Sequence, residues 1–262
     1  MRGQLFITLS CAMNYEEKDF KKKLQNTIDS LEWFGFEECS ECKTTFKHSV
    51  LDGDEGIECP SCGMKIIGDL FPNPCEEYQQ LFLEAIREAM RIKIEDRGGF
   101  RHPYQDAFTS CELFLRQIVF AQFKKTMLND NLILLISNRL RENKSPVKEE
   151  RTFLEKVEES KFKETYLDEG MISYIFDITK PNIWFYLKVL KNLGLKLEEE
   201  SEAYLKGLIK ETGDIRNNIA HIAKNPSEEE ILDVFEKIAN IFHILAPYSI
   251  FDKKRKIETG WI

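Results

Sequence analysis

The sequence lacks several features that would assign it to a class at once. It has no uninterrupted apolar run of about twenty residues, so no segment is expected to cross a bilayer. It has no basic excess, since 37 Lys and Arg stand against 45 Asp and Glu, a net charge of -8. This balance excludes a protein whose whole surface is positively charged for nucleic-acid binding, and it restricts any phosphate contact to a local patch. The chain also has only 4 histidines. Among them we expect His48 at the surface, His102 at the entry of a helix, and His243 as a half-buried packing residue.

The beginning of the chain offers one apolar stretch, Leu5 to Met13, that resembles a targeting segment. It is short for a signal core and is not followed by a small-x-small cleavage site, so we interpret it as a buried strand. Among the 7 cysteines, four form two Cys-x-x-Cys pairs, which favours a metal in a reducing compartment over a disulfide framework. We therefore expect a cytoplasmic protein.

The two cysteine pairs have the spacing of a zinc ribbon. Cys39 and Cys42 are separated from Cys59 and Cys62 by a segment in which Thr44 to Leu51 and Ile57 look extended. Asp52-Gly53-Asp54 is the expected turn between these two stretches.

Two short loops with two thiolates each can complete a tetrahedral zinc site, and Gly63 suits the tight turn after the second pair. Four cysteine ligands leave no position for a catalytic water, so the expected Zn²⁺ is structural. A redox or iron site and unligated thiols are the alternatives. Cys11, Cys75 and Cys111 lack ligand spacing and are expected to be small buried residues.

The segment Phe71-Pro72-Asn73-Pro74 is the expected linker, because two closely spaced prolines interrupt regular structure. We therefore predict an N-terminal region, residues 1–74, with the ribbon at about 36–70, and an all-helical domain at residues 75–262. The fold class is mainly α with a small β module.

Apolar periodicity predicts a series of helices on either side of the ribbon. Pro181 suits a first helical turn and Gly194 a stop, while Ser227 and Glu230 form a capping box before the last helix. The predicted helices are Tyr15 to Trp33, Glu76 to Asp96, Pro103 to about Lys125, Asn131 to Arg141, Lys148 to Tyr166, Met171 to Ile178, Pro181 to Leu193, Glu199 to Thr212, and a last one that ends before Pro247.

The stretch Arg216-Asn217-Asn218-Ile219-Ala220-His221 has the densest set of chemically capable side chains. On a helix Asn217 and His221 share a face, whereas Arg216 and His221 are about 140° apart. Alternatively, Gly213 ends one helix and Asp214 caps the next, whose first turn favours an anion. A purely structural interpretation is that His221 ends a helix and Arg216 pairs with a nearby acid.

This motif, late in a helical region and followed by one more long helix, resembles the Arg-x(4-6)-His motif of the HEPN family. The resemblance covers roughly Pro103 to Leu245. Glu112 in an early core helix and Trp184 in the middle of the region are similar to features of particular HEPN subgroups. The resemblance implies an HEPN-like helical bundle.

Many HEPN domains are metal-independent endoribonucleases that act as homodimers, and the resemblance implies catalytic roles for Arg216 and His221. His221 would transfer a proton while Arg216 stabilises the charge that develops on the phosphate. Asn217 would orient the phosphate or the histidine, or would only make a helix-end hydrogen bond. Glu112 would assist the site, or would face solvent or pair with Arg116.

The implied function is therefore RNA cleavage by 2′-hydroxyl attack, by a homodimer whose two motifs meet. By analogy with the family, the chain would be a toxin or host-defence effector with a neutralising or activating protein partner. The alternative is a non-catalytic HEPN module that binds nucleotide, RNA or protein and uses the ribbon as an adaptor. The acidic net charge favours this alternative.

Overall fold

The computed structural model describes residues 15–31, 35–48, 51, 56–66, 76–123, 129–142, 169–179, 183–193, 199, 202–211 and 225–246. This part of the chain is mainly α, with two small antiparallel hairpins between the first two helices. The helices are α1 (Tyr15–Ser30), α2 (Glu77–Glu95), α3 (Arg101–Phe123), α4 (Asp130–Glu142), α5 (Glu169–Thr179), α6 (Ile183–Asn192), α7 (202–211) and α8 (Glu228–Leu245). The strands are β1 (Gly35–Glu38), β2 (Thr45–His48), β3 (Ile57–Glu58) and β4 (Lys65–Ile66).

The predicted fold class, mainly α with a small β module near the N-terminus, is confirmed. The predicted strand at residues 5–13, the predicted helix at residues 148–166 and the boundary between residues 74 and 75 lie outside the described residues. Those three therefore stay predictions. Among the helices that the structure describes, none combines the length and the apolar character needed to cross a membrane.

The chain divides into two compact units, Met1–Asp106 with Asn225–Glu236, and Ala107–Lys224 with Lys237–Ile262. In the first unit, α1 packs against α2 through buried apolar side chains such as Leu24 and Ile28. The rings of Phe20 and Phe100 lie 5.9 Å apart, and those of Phe82 and Phe235 meet edge to face at 5.7 Å. Such aromatic pairs contribute packing energy beyond the area that they bury.

The beginning of α8 is fixed within the first unit by a cap and an ion pair. The amide of Ser227 donates to Glu230 at 2.8 Å, and the amide of Glu230 donates to the Ser227 hydroxyl at 3.2 Å, which confirms the predicted capping box. Lys93 near the end of α2 contacts Glu228 at 2.5 Å, and the Lys93 side chain is only 14% exposed. Partial burial reduces solvent screening of this pair.

The second unit has an aromatic core between its helices. Helix α4 packs against both α5 and α6. Phe114 and Phe242 meet edge to face at 4.8 Å, and Phe176 on α5 lies 6.2 Å from Phe123 and 5.9 Å from Tyr186. The rings of Phe123, Phe176 and Tyr186 join the end of α3 to α5 and α6.

Helices α7 and α8 are joined by two polar contacts in the second unit. Lys237 forms an ion pair with Glu211 at 2.9 Å, and the Asn240 amide donates to the Tyr204 hydroxyl at 3.4 Å. The earlier residue on α7, Tyr204, contacts the later residue on α8, Asn240, and the reverse holds for Glu211 and Lys237. The two helices therefore run antiparallel. Residues 212–224, which carry the Arg216 and His221 motif, connect these two helices and lie outside the described residues.

The turn between α2 and α3 contains Gly98 and Gly99, which lie between the two helices predicted here. Asp96 and Gly98 adopt left-handed backbone conformations, with φ of 47° and 82°. Gly99 is needed for a different reason, because a Cβ at this position would overlap the side-chain amide of Asn225. The amide of Asn225 therefore lies directly against the backbone of this turn.

We predict that Gly99→Ala lowers the free energy of unfolding by about 0.5–1 kcal/mol, because the added methyl displaces the exposed Asn225 side chain. Adding Asn225→Ala should restore most of this loss, since it removes the three atoms nearest to the added methyl. Urea denaturation followed by circular dichroism measures both effects.

Gly98→Ala is the matched control for this pair. A Cβ at Gly98 meets nothing within 4 Å, so its cost arises only from the left-handed backbone at φ 82°. Asn225→Ala should therefore not rescue Gly98→Ala. Equal rescue of both alanine variants, or rescue of neither, would contradict the proposed contact.

Candidate metal centre

The first cysteine pair forms the turn of the β1–β2 hairpin. The amide of Cys39 donates to the carbonyl of Thr44 at 3.0 Å, and the amide of Lys43 donates to the carbonyl of Cys39 at 2.9 Å. Both thiols of the pair therefore lie on one compact loop. Lys43 has φ 60°, a left-handed conformation that a residue with a side chain adopts at a cost.

The second pair repeats this geometry in the turn of the β3–β4 hairpin. The amide of Cys59 donates to the carbonyl of Met64 at 2.9 Å, and the amide of Gly63 donates to the carbonyl of Cys59 at 2.8 Å. Gly63 has φ 73° and occupies the position equivalent to Lys43. The expected role of Gly63 in the tight turn is thus supported by its backbone conformation.

The two loops bring four sulfur atoms together. The Sγ atoms of Cys39, Cys42, Cys59 and Cys62 all lie within 4.8 Å of one another. Cys39 and Cys62 are 3.5 Å apart, as are Cys42 and Cys59. These distances are far longer than a disulfide bond of about 2.0 Å, and all four are free cysteines.

This arrangement fits a single tetrahedral metal ion. Four thiolates at about 2.3 Å from a zinc ion would lie about 3.8 Å from one another. The separations of 3.5 Å and the upper limit of 4.8 Å bracket that value. An all-thiolate donor set suits zinc or iron rather than magnesium or calcium, and four protein ligands leave no position for water. The site is therefore suited to a structural metal.

The four sulfurs do not have equivalent proton affinities. Hydrogen bonding with the Thr44 side chain, and then with its backbone, lowers the pKa of Cys42 to about 6. The Cys42 and Thr44 side chains are 3.3 Å apart. For Cys62 the Met64 backbone lowers the pKa, but hydrogen bonding to Cys39 and burial outweigh it and raise the pKa to about 12. A bound cation would favour the thiolate at every position.

The strand pairing around the cysteines differs from the sequence expectation. The extended stretches at Thr45–His48 and Ile57–Glu58 are present, but they do not pair with each other in the described residues. Instead β1 pairs with β2, from Gly35 opposite His48 to Glu38 opposite Thr45, and β3 pairs with β4. Each cysteine loop reverses the chain, so each pair forms its own hairpin. The expected turn at residues 52–54 lies outside the described residues.

Sequence reasoning missed β1 and β4, which supply the outer half of each hairpin. The signal in the sequence was the repeated Cys-x-x-Cys spacing, which indicates two equivalent loops. In the structure the residue after the second cysteine of each loop adopts a left-handed conformation. Lys43 concealed this equivalence because lysine is not a typical turn residue. Thr44, which contacts Cys42, was missed for the same reason.

The other histidines are placed differently from some of our expectations. His48, expected at the surface, is buried at 7% exposure, and it is not part of the four-cysteine group. His243, expected to be half-buried, is exposed on α8. His102 is exposed at the beginning of α3, as expected for a helix-entry residue.

The proposed catalytic residues are only partly described. Arg216, Asn217 and His221 lie outside the described residues, so their predicted roles stay predictions. Glu112 is half-buried on α3. Burial raises the pKa of Tyr186 to about 12, with Arg116 opposing this rise and Glu112 adding to it.

Arg116 and Glu112 thus shift the pKa of Tyr186 in opposite directions. The Arg116 guanidinium also lies 5.7 Å from the centroid of the Phe176 ring. Trp184 is 39% exposed on α6.

In comparisons with known proteins, no family model, no curated protein and no solved structure matches the chain.

We predict that Gly63→Ala weakens metal binding about fivefold, which corresponds to about 1 kcal/mol of left-handed backbone strain. A Cβ at Gly63 meets nothing within 4 Å, so no steric clash contributes. Lys43→Gly should not weaken binding, because it relieves the same strain in the other loop. Competition with a chromogenic zinc chelator measures the affinities.

Ser61→Ala is the control within the second loop, because Ser61 is exposed. It should leave the affinity unchanged. A Gly63→Ala protein that binds zinc as tightly as the Ser61→Ala protein would contradict the proposed strain.

Proposed function

We propose that the chain is a metal-independent endoribonuclease of HEPN type, stabilised by one structural zinc ion at its four cysteines. The zinc assignment is supported by the sulfur geometry, with all four Sγ atoms within 4.8 Å. Among the metals that thiolates bind, zinc has no redox chemistry and accepts a closed tetrahedral shell. The ion holds two hairpins together and takes no part in the reaction.

The nuclease proposal is carried by the Arg216-Asn217-x-x-Ala220-His221 motif, which connects two long helices. Support comes from the contacts of those helices, since Glu211 on α7 is paired with Lys237 on α8 at 2.9 Å. The connecting segment therefore begins next to a fixed contact. The mainly α fold is also in keeping with an HEPN bundle, although it does not identify that family.

The proposed reaction uses the RNA as its own nucleophile. The 2′-hydroxyl oxygen attacks the adjacent phosphorus while the bond to the 5′-oxygen breaks, which leaves a 2′,3′-cyclic phosphate and a 5′-hydroxyl. His221 transfers a proton and Arg216 stabilises the charge on the phosphate oxygens. Asn217 orients the phosphate or the imidazole, and Glu112 assists from α3. No metal is needed at any step.

The proposed active unit is a homodimer in which Arg216 and His221 of both protomers face one cleft. Removing the 2′-hydroxyl proton and protonating the leaving oxygen are tasks for two groups, whereas one motif supplies a single imidazole. A two-fold axis supplies the second copy. Sedimentation equilibrium of the active protein checks this arrangement, and a catalytically active monomer would contradict it.

For the metal, we predict about one zinc per chain, and we predict that Cys59→Ser abolishes stoichiometric binding. The same substitution should unfold the hairpins while the helical circular dichroism largely remains, because the hairpins are too small to fold without a cross-link. Elemental analysis of purified protein measures the metal.

Cys111→Ser is the matched control, since Cys111 is buried in α3, is not part of the four-cysteine group and should not affect zinc content. Full zinc occupancy in Cys59→Ser would contradict the assignment. An iron–sulfur absorption spectrum in the wild type would identify a different metal.

For the nuclease, we predict that the wild type cleaves total RNA in excess EDTA and that His221→Ala lowers the rate at least about 100-fold, the usual contribution of a general acid or base. Product analysis should find cyclic phosphate ends. Rates are measured on a labelled RNA under single-turnover conditions.

His243→Ala is the matched control, because it removes an exposed imidazole from α8 and should keep full activity. Tight RNA binding without cleavage by the wild type would instead favour the non-catalytic binding module. Equal activity in the His221→Ala and His243→Ala proteins would exclude a catalytic His221.

A further inference from the structure

The four sulfurs form two close contacts, and each contact joins an exposed cysteine to a buried one. Exposed Cys62 lies 3.5 Å from buried Cys39, and exposed Cys42 lies 3.5 Å from buried Cys59. Each contact also joins one cysteine loop to the other. Each contact therefore pairs a cysteine at the surface with a buried cysteine whose sulfur lies directly beside it.

This arrangement is suited to oxidation by hydrogen peroxide, which requires an accessible thiolate and a neighbouring thiol that completes a disulfide. With a cation bound, the exposed cysteine of each contact would be a thiolate. This thiolate attacks one peroxide oxygen, the O–O bond breaks, and a sulfenic acid and hydroxide form. The buried thiolate then attacks the sulfenic sulfur, the S–S bond forms, and a second hydroxide leaves. Two thiolates lose two electrons, and with two protons from solvent the peroxide becomes two water molecules.

We propose that the four-cysteine cluster is a peroxide-sensitive site that forms the Cys39–Cys62 and Cys42–Cys59 disulfides and releases its metal. Zinc release rests on the proposed zinc site, because zinc binds thiolates and not disulfides. The disulfide connectivity rests only on the sulfur geometry.

Both sulfur contacts of 3.5 Å join one loop to the other, and we therefore assign the disulfides between the loops. The two close contacts need to shorten by only about 1.5 Å, from 3.5 Å to the S–S length of about 2.0 Å. Both resulting bonds join the β1–β2 hairpin to the β3–β4 hairpin. They therefore replace the metal as a cross-link, and the hairpins stay folded in the oxidised protein.

Cys111 provides an internal reference within the same chain. It is fully buried on α3, and burial raises its pKa, with nearby Glu112 adding to the effect. A neutral, inaccessible thiol reacts slowly with peroxide. Oxidation that is specific to the four-cysteine cluster should therefore leave Cys111 reduced.

The test uses the full zinc-loaded chain, titrated with hydrogen peroxide beside a chromogenic zinc chelator. Remaining thiols are alkylated, and the disulfides are mapped by mass spectrometry after cleavage at Glu41, which separates Cys39 from Cys42. The expected result is zinc release with about two peroxide molecules per chain, the two disulfides between the loops, and alkylated Cys111. Disulfides within either pair, or overoxidised Cys42 and Cys62 beside free Cys39 and Cys59, would overturn the proposal.

A variant separates the roles within one contact. Cys39→Ser leaves Cys62 without its partner, so a sulfenic acid at Cys62 should accumulate and react with dimedone, whereas Cys111→Ser should behave as the wild type. If Cys39→Ser fails to fold, the wild-type disulfide map still shows whether the disulfides form between the loops. The metal content measured before oxidation tests the zinc assignment separately from the disulfide map.

Discussion

The N-terminal module depends on one constraint, which is that four sulfur atoms must meet in a small volume. Its strands are only two to four residues long, and isolated hairpins of that length are not stable in water. The loop hydrogen bonds of Cys39 and Cys59 give each pair its shape, but they act within a single hairpin. The sulfur cluster joins the two hairpins, and this is why the proposed metal would stabilise the module.

The helical part is stabilised in the more usual way, by burial of large apolar side chains. Phe82 and Phe235 in one unit, and Phe114 and Phe242 in the other, show that α8 contributes core residues to both. The cap at Ser227 and the Lys93–Glu228 pair fix the beginning of this helix. The chain on the N-terminal side of the cap carries the proposed catalytic motif. The C-terminal end of that segment is therefore attached to a well-packed helix, which is a suitable support for residues that must hold a phosphate in place.

The zinc and nuclease proposals rest on different kinds of support. The metal centre stands on distances between described atoms, and the chemistry of thiolates restricts the choice of metal. The nuclease stands on a short motif and its chemical consistency, in a chain whose net charge of -8 offers no general affinity for RNA. Local cations such as Arg216 would have to supply that affinity. The two proposals are therefore independent, and either can stand without the other.

The sequence by itself determined the ligand set and most helix positions. Cysteine spacing and apolar periodicity are local signals, so α2, α3 and α8 lie close to their predicted ranges and Cys39, Cys42, Cys59 and Cys62 do converge. Only the tertiary structure decided which strands pair, which cysteine of each pair is buried, and that His48 is covered while His243 is exposed. The physical reason is that pairing and burial depend on residues distant in sequence, as the contact of Gly99 with Asn225 also illustrates.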